Sequence, residues 1–195
     1  MKGNLYSISV FFLSVLFLDE SSCNRQAAAS SGSKGIYPLN VGNYWIYKDS
    51  TFTESKLVSI ANDTDKIVRA GEWNGRTTFI FDDGREWFSS GDTVYQLGAQ
   101  RTGAKYPSPV MMVTEKESKF NFLFGGDVLV QKTIEKLPSC PENRWNPSAC
   151  YKISDSCGGY MINGYGVGIL REKKSDCFSN KSNYVIRTLT DVHFQ

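Results

Sequence analysis

The sequence predicts an all-β fold, an antiparallel meander forming a strongly curved sheet or barrel, with a two-sheet sandwich as the alternative. Three observations predict it. Apolar and polar residues alternate in short runs, the period of a strand with one buried face. Turn pairs such as Asn74-Gly75 and Asp83-Gly84 fall between those runs, and Asn-Gly favours the paired positive φ of a tight hairpin. Aromatic residues make up 13% of the chain and glycine contributes 17 residues, a composition suited to strands joined by tight turns.

In chain order, Tyr44–Tyr47 opens the first strand and Lys56–Ile60 the second. Asn62-Asp63-Thr64-Asp65 has turn composition and predicts a break before Lys66–Glu72. Asn74-Gly75 returns the chain into Arg76–Phe81, Asp83-Gly84 into Arg85–Ser89, and Ser90-Gly91-Asp92 into Thr93–Leu97. Gly98–Pro109 reads as irregular, because prolines interrupt a strand ladder. Strands resume at Val110–Thr114, Lys119–Phe124, Asp127–Ile134 and Cys150–Ser154. Gly158-Gly159 turns again. Gly166–Lys173 and Tyr184–Phe194 form the last pair, with Gly164–Gly168 placed in a strand and Arg187, Asp191 and His193 on the polar face of the final one. No repeat of fixed period occurs, which removes propellers and solenoids. Many short strands in one domain must hide their edges by curling, closing or stacking.

Residues 1–35 read as address and tether. Lys2 precedes an apolar run, Ile8–Leu18, too short for the roughly 20 residues of a spanning helix and suited to the core of an export signal. Ser21-Ser22-Cys23-Asn24 follows and resembles the processing site of bacterial lipoproteins, in which the cysteine is acylated; this assigns residues 1–23 to the signal and Cys23 to lipidation. Glu20 stands where such sites carry an apolar residue, and ordinary cleavage near Ala27-Ala28-Ala29 is the alternative. Residues 24–35, small and polar, read as a flexible tether. Residues 36–195 form a single domain, long enough to bury a true core.

Four cysteines remain beyond Cys23: Cys140, Cys150, Cys157 and Cys177. An even number in an exported domain reads as two disulfides. The spacing lacks the close C-x2–4-C pairs of zinc sites. Three connectivities are open, of which Cys140–Cys150 with Cys157–Cys177 closes two moderate loops.

The segment YPLNVGNYWIY, Tyr37–Tyr47, resembles the opening of an uncharacterised group of Bacteroidota-like envelope lipoproteins with the pattern (F/Y)-P-L-x-V-G-x-x-W-x-Y. Matching stretches near the other end are Cys150–Ile153, Gly164–Leu170 and Tyr184–Phe194. The resemblance implies an envelope location and a β-rich fold, and no activity. Structure explains these residues as readily: Pro38 and Gly42 set the chain before a strand, and the glycines of Gly164–Gly168 permit a bulge or a close backbone approach.

The sequence makes no strong case for catalysis. His193 is the lone histidine, no G-x-S-x-G elbow is present, and metal ligands are too few. Asp63, Asp65, Asp82, Asp83 and Glu86 could pair across strands as glycosidase carboxylates, but most have the chemistry of turns. A formal charge of +2 gives no electrostatic footprint for nucleic acid. The remaining lead is aromatic: Tyr44, Trp73, Trp87, Tyr95 and Trp145 could stack on a sugar or line an apolar cavity. The expectation is a non-catalytic exported protein without cofactor or metal. It is an outer-membrane lipoprotein tethered through Cys23, or else secreted or periplasmic, with a structural role or an apolar ligand. The alternatives are a surface carbohydrate- or protein-binding module and, after it, a carboxylate hydrolase. The sequence does not fix the oligomeric state.

Overall fold

The computed structural model describes residues 35–99, 103–124, 128–141, 144–175 and 182–195. The export segment, Cys23, most of the tether and Cys177 lie outside them.

Twelve strands form one antiparallel sheet in the order β6-β5-β4-β3-β2-β1-β12-β11-β10-β9-β8-β7. They are β1 Tyr44–Thr53, β2 Lys56–Trp73, β3 Arg76–Phe81, β4 Glu86–Ser90, β5 Thr93–Ala99, β6 Lys105–Met112, β7 Ser118–Phe124, β8 Val128–Lys136, β9 Cys150–Asp155, β10 Tyr160–Gly164, β11 Gly168–Ser175 and β12 Tyr184–His193. The first and last strands pair at the centre of the sheet, and the meander runs outward from them on both sides. Its ends, β6 and β7, do not pair, so the sheet is curved and open and not a closed barrel. Pro107 and Pro109 account for one of those ends. Proline lacks the N–H a ladder needs, so it belongs on a strand with a free side, and β6 pairs only with β5.

The core lies inside the curl and draws on both halves of the meander. Trp45, Tyr47, Ile67, Phe81 and Met111 meet Ile134, Ile169 and Leu170 in one contiguous cluster. The segment before β1 fills the middle: Ile36, Tyr37 and Leu39 are at most 2% exposed. Tyr37 packs on Trp45 with ring centroids 4.4 Å apart and on Trp87 at 5.2 Å.

Local chemistry explains most turns. Asn74 and Gly75 both take positive φ, 49° and 72°, as a type I′ hairpin requires. Glu54 and Ser55 do the same, at 50° and 63°, without the usual residues, and Asn183 steadies the turn by accepting from the Glu54 amide. Cys140 and Cys150 are bonded, with Cα atoms 5.3 Å apart, pinning the loop before β9. Cys157 is also disulfide-bonded.

Four expectations are corrected. The aspartates of Asn62–Asp65 do not make a turn; they lie inside β2, a single strand of 18 residues, because arginines engage their side chains. Lys105–Pro109 is strand and not irregular loop, since β6 pairs on one side only. Gly164–Gly168 is the hairpin joining β10 to β11, with Val167 N–H donating to the Gly164 carbonyl, and β10 itself was not legible. Arg187 faces inward at 2% exposure. A register shift between Ile46 and Tyr47, at Thr190 on β12, resets the alternation, so Arg187 and Leu189 point inward on one side of it and Val192 on the other.

Candidate functional site

Two constellations are built from polar and aromatic residues, one on each face of the sheet. The inner one is ionic. Arg187 stands opposite Asp49 across β1 and β12. Its three guanidinium nitrogens each reach a different carboxylate: Nε donates to Asp49 at 3.2 Å, Nη1 to Asp65 at 2.9 Å, and Nη2 to Asp63. Asp65 also accepts from Arg85, which bonds Asp83 in turn. The Arg187 guanidinium lies 4.3 Å from the Tyr47 ring centroid. Burial alone would lower the Arg187 pKa, but Asp65 and its neighbours raise it above the usual arginine value. The side chains of Arg187 and Asp65 are both 3% exposed, so this pair is a tie between the two halves of the sheet and offers no opening to a ligand.

Beside it, the hydroxyls of Tyr37 and Tyr47 are buried without a hydrogen-bond partner of regular geometry. Burial first, and Asp65 among their neighbours, push both phenols well above the ordinary tyrosine pKa. The sign follows. The unfolded tyrosines ionise near pH 10, the folded ones resist ionisation, and stability present below about pH 10 is lost as pH rises above it. Urea unfolding at pH 8, 10 and 11 is expected to give a falling midpoint. Tyr37→Phe with Tyr47→Phe should flatten the part of that slope owed to these groups and leave stability at pH 8 little changed, because the two hydroxyls interact with each other and are removed together, leaving neither stranded.

The outer constellation lies on the opposite face of β2–β5. The hairpin at Asn74-Gly75 sets Trp73 opposite Arg76, and the next pairing sets Phe88 opposite Tyr95. Phe88 lies at the base of the group. Tyr95 stacks on it at 5.1 Å and 13°, Trp73 leans on it at 5.6 Å, and the Arg76 guanidinium lies 5.8 Å from its ring centroid. Arg76 also donates to the Ser90 hydroxyl at 3.0 Å. Trp73 and Tyr95 are half-buried and Arg76 is exposed. The same face carries Glu86, which accepts from Thr78 at 2.6 Å and from Lys105. Burial would raise the Glu86 pKa, but the bonds from Lys105 and Thr78 hold it below the usual value. A charged carboxylate thus sits beside an aromatic platform, with two cationic side chains flanking the group.

Of the aromatics singled out in the sequence, the fold brings Trp73 and Tyr95 together and separates the rest. Trp87 faces the core at 3% exposure. Tyr44 stacks on His193 at 5.0 Å on the outer face of β1 and β12. Trp145 lies in the loop pinned by the disulfide, under Arg144 at 4.7 Å. Phe88 and Arg76 were missed, although the two hairpin turns already fix the register that assembles them.

No protein-family model and no curated protein matches the sequence. Among solved structures, one described as a "putative lipoprotein" from Parabacteroides distasonis matches 81% of this chain and 98% of its own, at 9% identity and a TM-score of 0.37. A likeness of that degree carries no argument about activity.

Proposed function

We propose that the chain is an exported, non-catalytic protein of the bacterial envelope, held to a membrane through Cys23, that binds a glycan on its outer face. The observation that carries the reading is the pair Trp73 and Tyr95, half-buried on the face away from the core and seated on Phe88, which is itself 3% exposed. Flat aromatic faces bury apolar sugar faces, and flanking polar groups take the hydroxyls. Arg76 and Lys105 stand at the rim of the pair for that role, and the buried Glu86, bonded to Thr78 and Lys105, holds Lys105 in place. An enclosed apolar ligand is less favoured, since Tyr37, Trp45 and Leu39 fill the middle of the curl. The envelope location rests on the apolar run and Ser21-Ser22-Cys23.

Affinity electrophoresis through gels containing purified polysaccharides (xylan, mucin and solubilised peptidoglycan) tests the binding. At least one should retard the protein, and Trp73→Ala with Tyr95→Ala should weaken that retardation at least tenfold, in keeping with about 1 kcal/mol or more per stacked ring. Retardation that survives both substitutions would remove the platform from the reading. Palmitate labelling lost in Cys23→Ser tests the tether separately.

A further inference from the structure

The outer face of β2–β6 is charged unevenly around Trp73 and Tyr95. Register and alternation set Arg69, Arg76 and Lys105 on that face. The carboxylate among them is Glu86, 9% exposed, which already accepts from Thr78 and Lys105. Lys105 therefore has its counter-ion. Arg76 does not. Its Nη1 donates to the neutral Ser90 hydroxyl at 3.0 Å, and its guanidinium lies 5.8 Å from the Phe88 ring centroid. Among the described residues no carboxylate stands within ion-pair distance of it. Glu72, next to Trp73 in the chain, opposes Thr77 and so points to the other face, and Asp92 bears on Tyr151 of the core. Arg85 and Arg187, by contrast, spend their guanidinium groups on aspartates. Two contacts thus hold an exposed cation beside Trp73 without neutralising it.

We infer that the glycan taken by this face is acidic, with its sugar ring on Trp73 and Tyr95 and its carboxylate on Arg76, a substrate class that rests on the glycan reading above. A guanidinium meets a carboxylate through two parallel N–H bonds. With Nη1 given to Ser90, the Nε and Nη2 edge of the fork is the pair left for that purpose. The bond to Ser90 and the seat over Phe88 fix the fork before a ligand arrives, which lowers the entropy cost of binding. The position suits a charged sugar. Trp73 and Arg76 are directly opposed across the hairpin, with Cβ atoms about 5 Å apart, so a carboxylate carried by a ring stacked on Trp73 lies at the guanidinium. A neutral glycan would cover the same cation and leave it without a counter-ion, at a cost in desolvation.

Affinity electrophoresis of the full chain, expressed with its own export segment, tests it with polygalacturonate and hyaluronan, each beside the same polymer with its carboxyl groups reduced to alcohols. Reduction keeps the sugar rings and removes the charge. At physiological salt, which screens surface charges beyond about 8 Å, at least one acidic polymer should bind tenfold or more tighter than its reduced form. Arg76→Gln should cut that preference at least fivefold. Arg69→Gln deletes an equal charge from the same face, about 13 Å along β2 from Trp73, and should change the preference less than twofold. Equal binding to a polymer and its reduced form, lost in Trp73→Ala, would overturn the acidic class and leave the glycan reading standing. Equal losses from Arg76→Gln and Arg69→Gln, or acidic binding that survives Trp73→Ala with Tyr95→Ala, would mean attraction by a basic face alone and overturn it as well. No retardation by either acidic polymer would also overturn it, and xylan, mucin and peptidoglycan would then decide the glycan reading by themselves.

Discussion

Replacing Arg187 with methionine is expected to lower stability by about 3 kcal/mol, the scale for removing one partner of a buried ion pair. For a domain of this size that is a fall in Tm of about 6–12 °C. The loss does not come from the attraction of a single pair. It comes from leaving Asp65 inside the sheet with one arginine in place of two, and Asp49 and Asp63 without their shared donor. Arg187→Lys should rescue little. A guanidinium reaches three carboxylates from three nitrogens in a rigid plane, while an ammonium is a single point. Asp65→Asn in the Arg187→Met background should recover part of the deficit, since it removes the charge that the first substitution strands. Differential scanning calorimetry of the three variants beside the parent chain checks all of this. A loss below about 1 kcal/mol for Arg187→Met would mean that water or a neighbouring cation replaces the guanidinium, and that the tie between β1, β2 and β12 is not ionic.

The same network marks where sequence reasoning stops. Asn62-Asp63-Thr64-Asp65 has the composition of a turn, and local propensity says so. Only the arrival of Arg85, 20 residues later in the chain, and of Arg187, 122 residues after Asp65, makes those aspartates strand residues. No local window contains that information. By contrast, the Asn74-Gly75 and Ser90–Asp92 turns were legible, because their φ requirements are local, and the antiparallel meander followed from them. The outer platform stands between the two cases. Trp73 and Tyr95 were visible as aromatics, and the register of two hairpins was enough to place Phe88 under Tyr95 and Arg76 beside Trp73. What could not be read was the face. Trp87 and Phe88 are neighbours in β4 and point to opposite sides, and only the position of the core decides which of them joins it and which lies beneath Trp73 and Tyr95.

Gly168→Ala is expected to cost about 2–5 kcal/mol, from strain and overpacking together. Gly168 has φ +105°, and a Cβ there would lie 2.7 Å from a carbon of the Tyr37 ring and 3.2 Å from the Trp45 indole nitrogen. Neither ring can retreat. Both are fully buried, and the indole is fixed by its bond to the Val167 carbonyl at 2.7 Å. The two sequence motifs from opposite ends of the domain, Tyr37–Tyr47 and Gly164–Leu170, therefore meet at one contact: a glycine backbone laid against an aromatic pair. Asn43 extends the joint, donating to the Pro38 carbonyl and accepting from the Gln195 N–H. Gly166 gives the internal control. It also has positive φ, +78°, but a Cβ there meets nothing within 4 Å, so Gly166→Ala should cost only about 1 kcal/mol of backbone strain. Tyr37→Leu makes room at the same spot, and in a double-mutant cycle its cost and that of Gly168→Ala should be less than additive by 1 kcal/mol or more, the behaviour of residues in direct contact. Additive costs would separate the two motifs and leave the glycine's φ as the whole of its requirement.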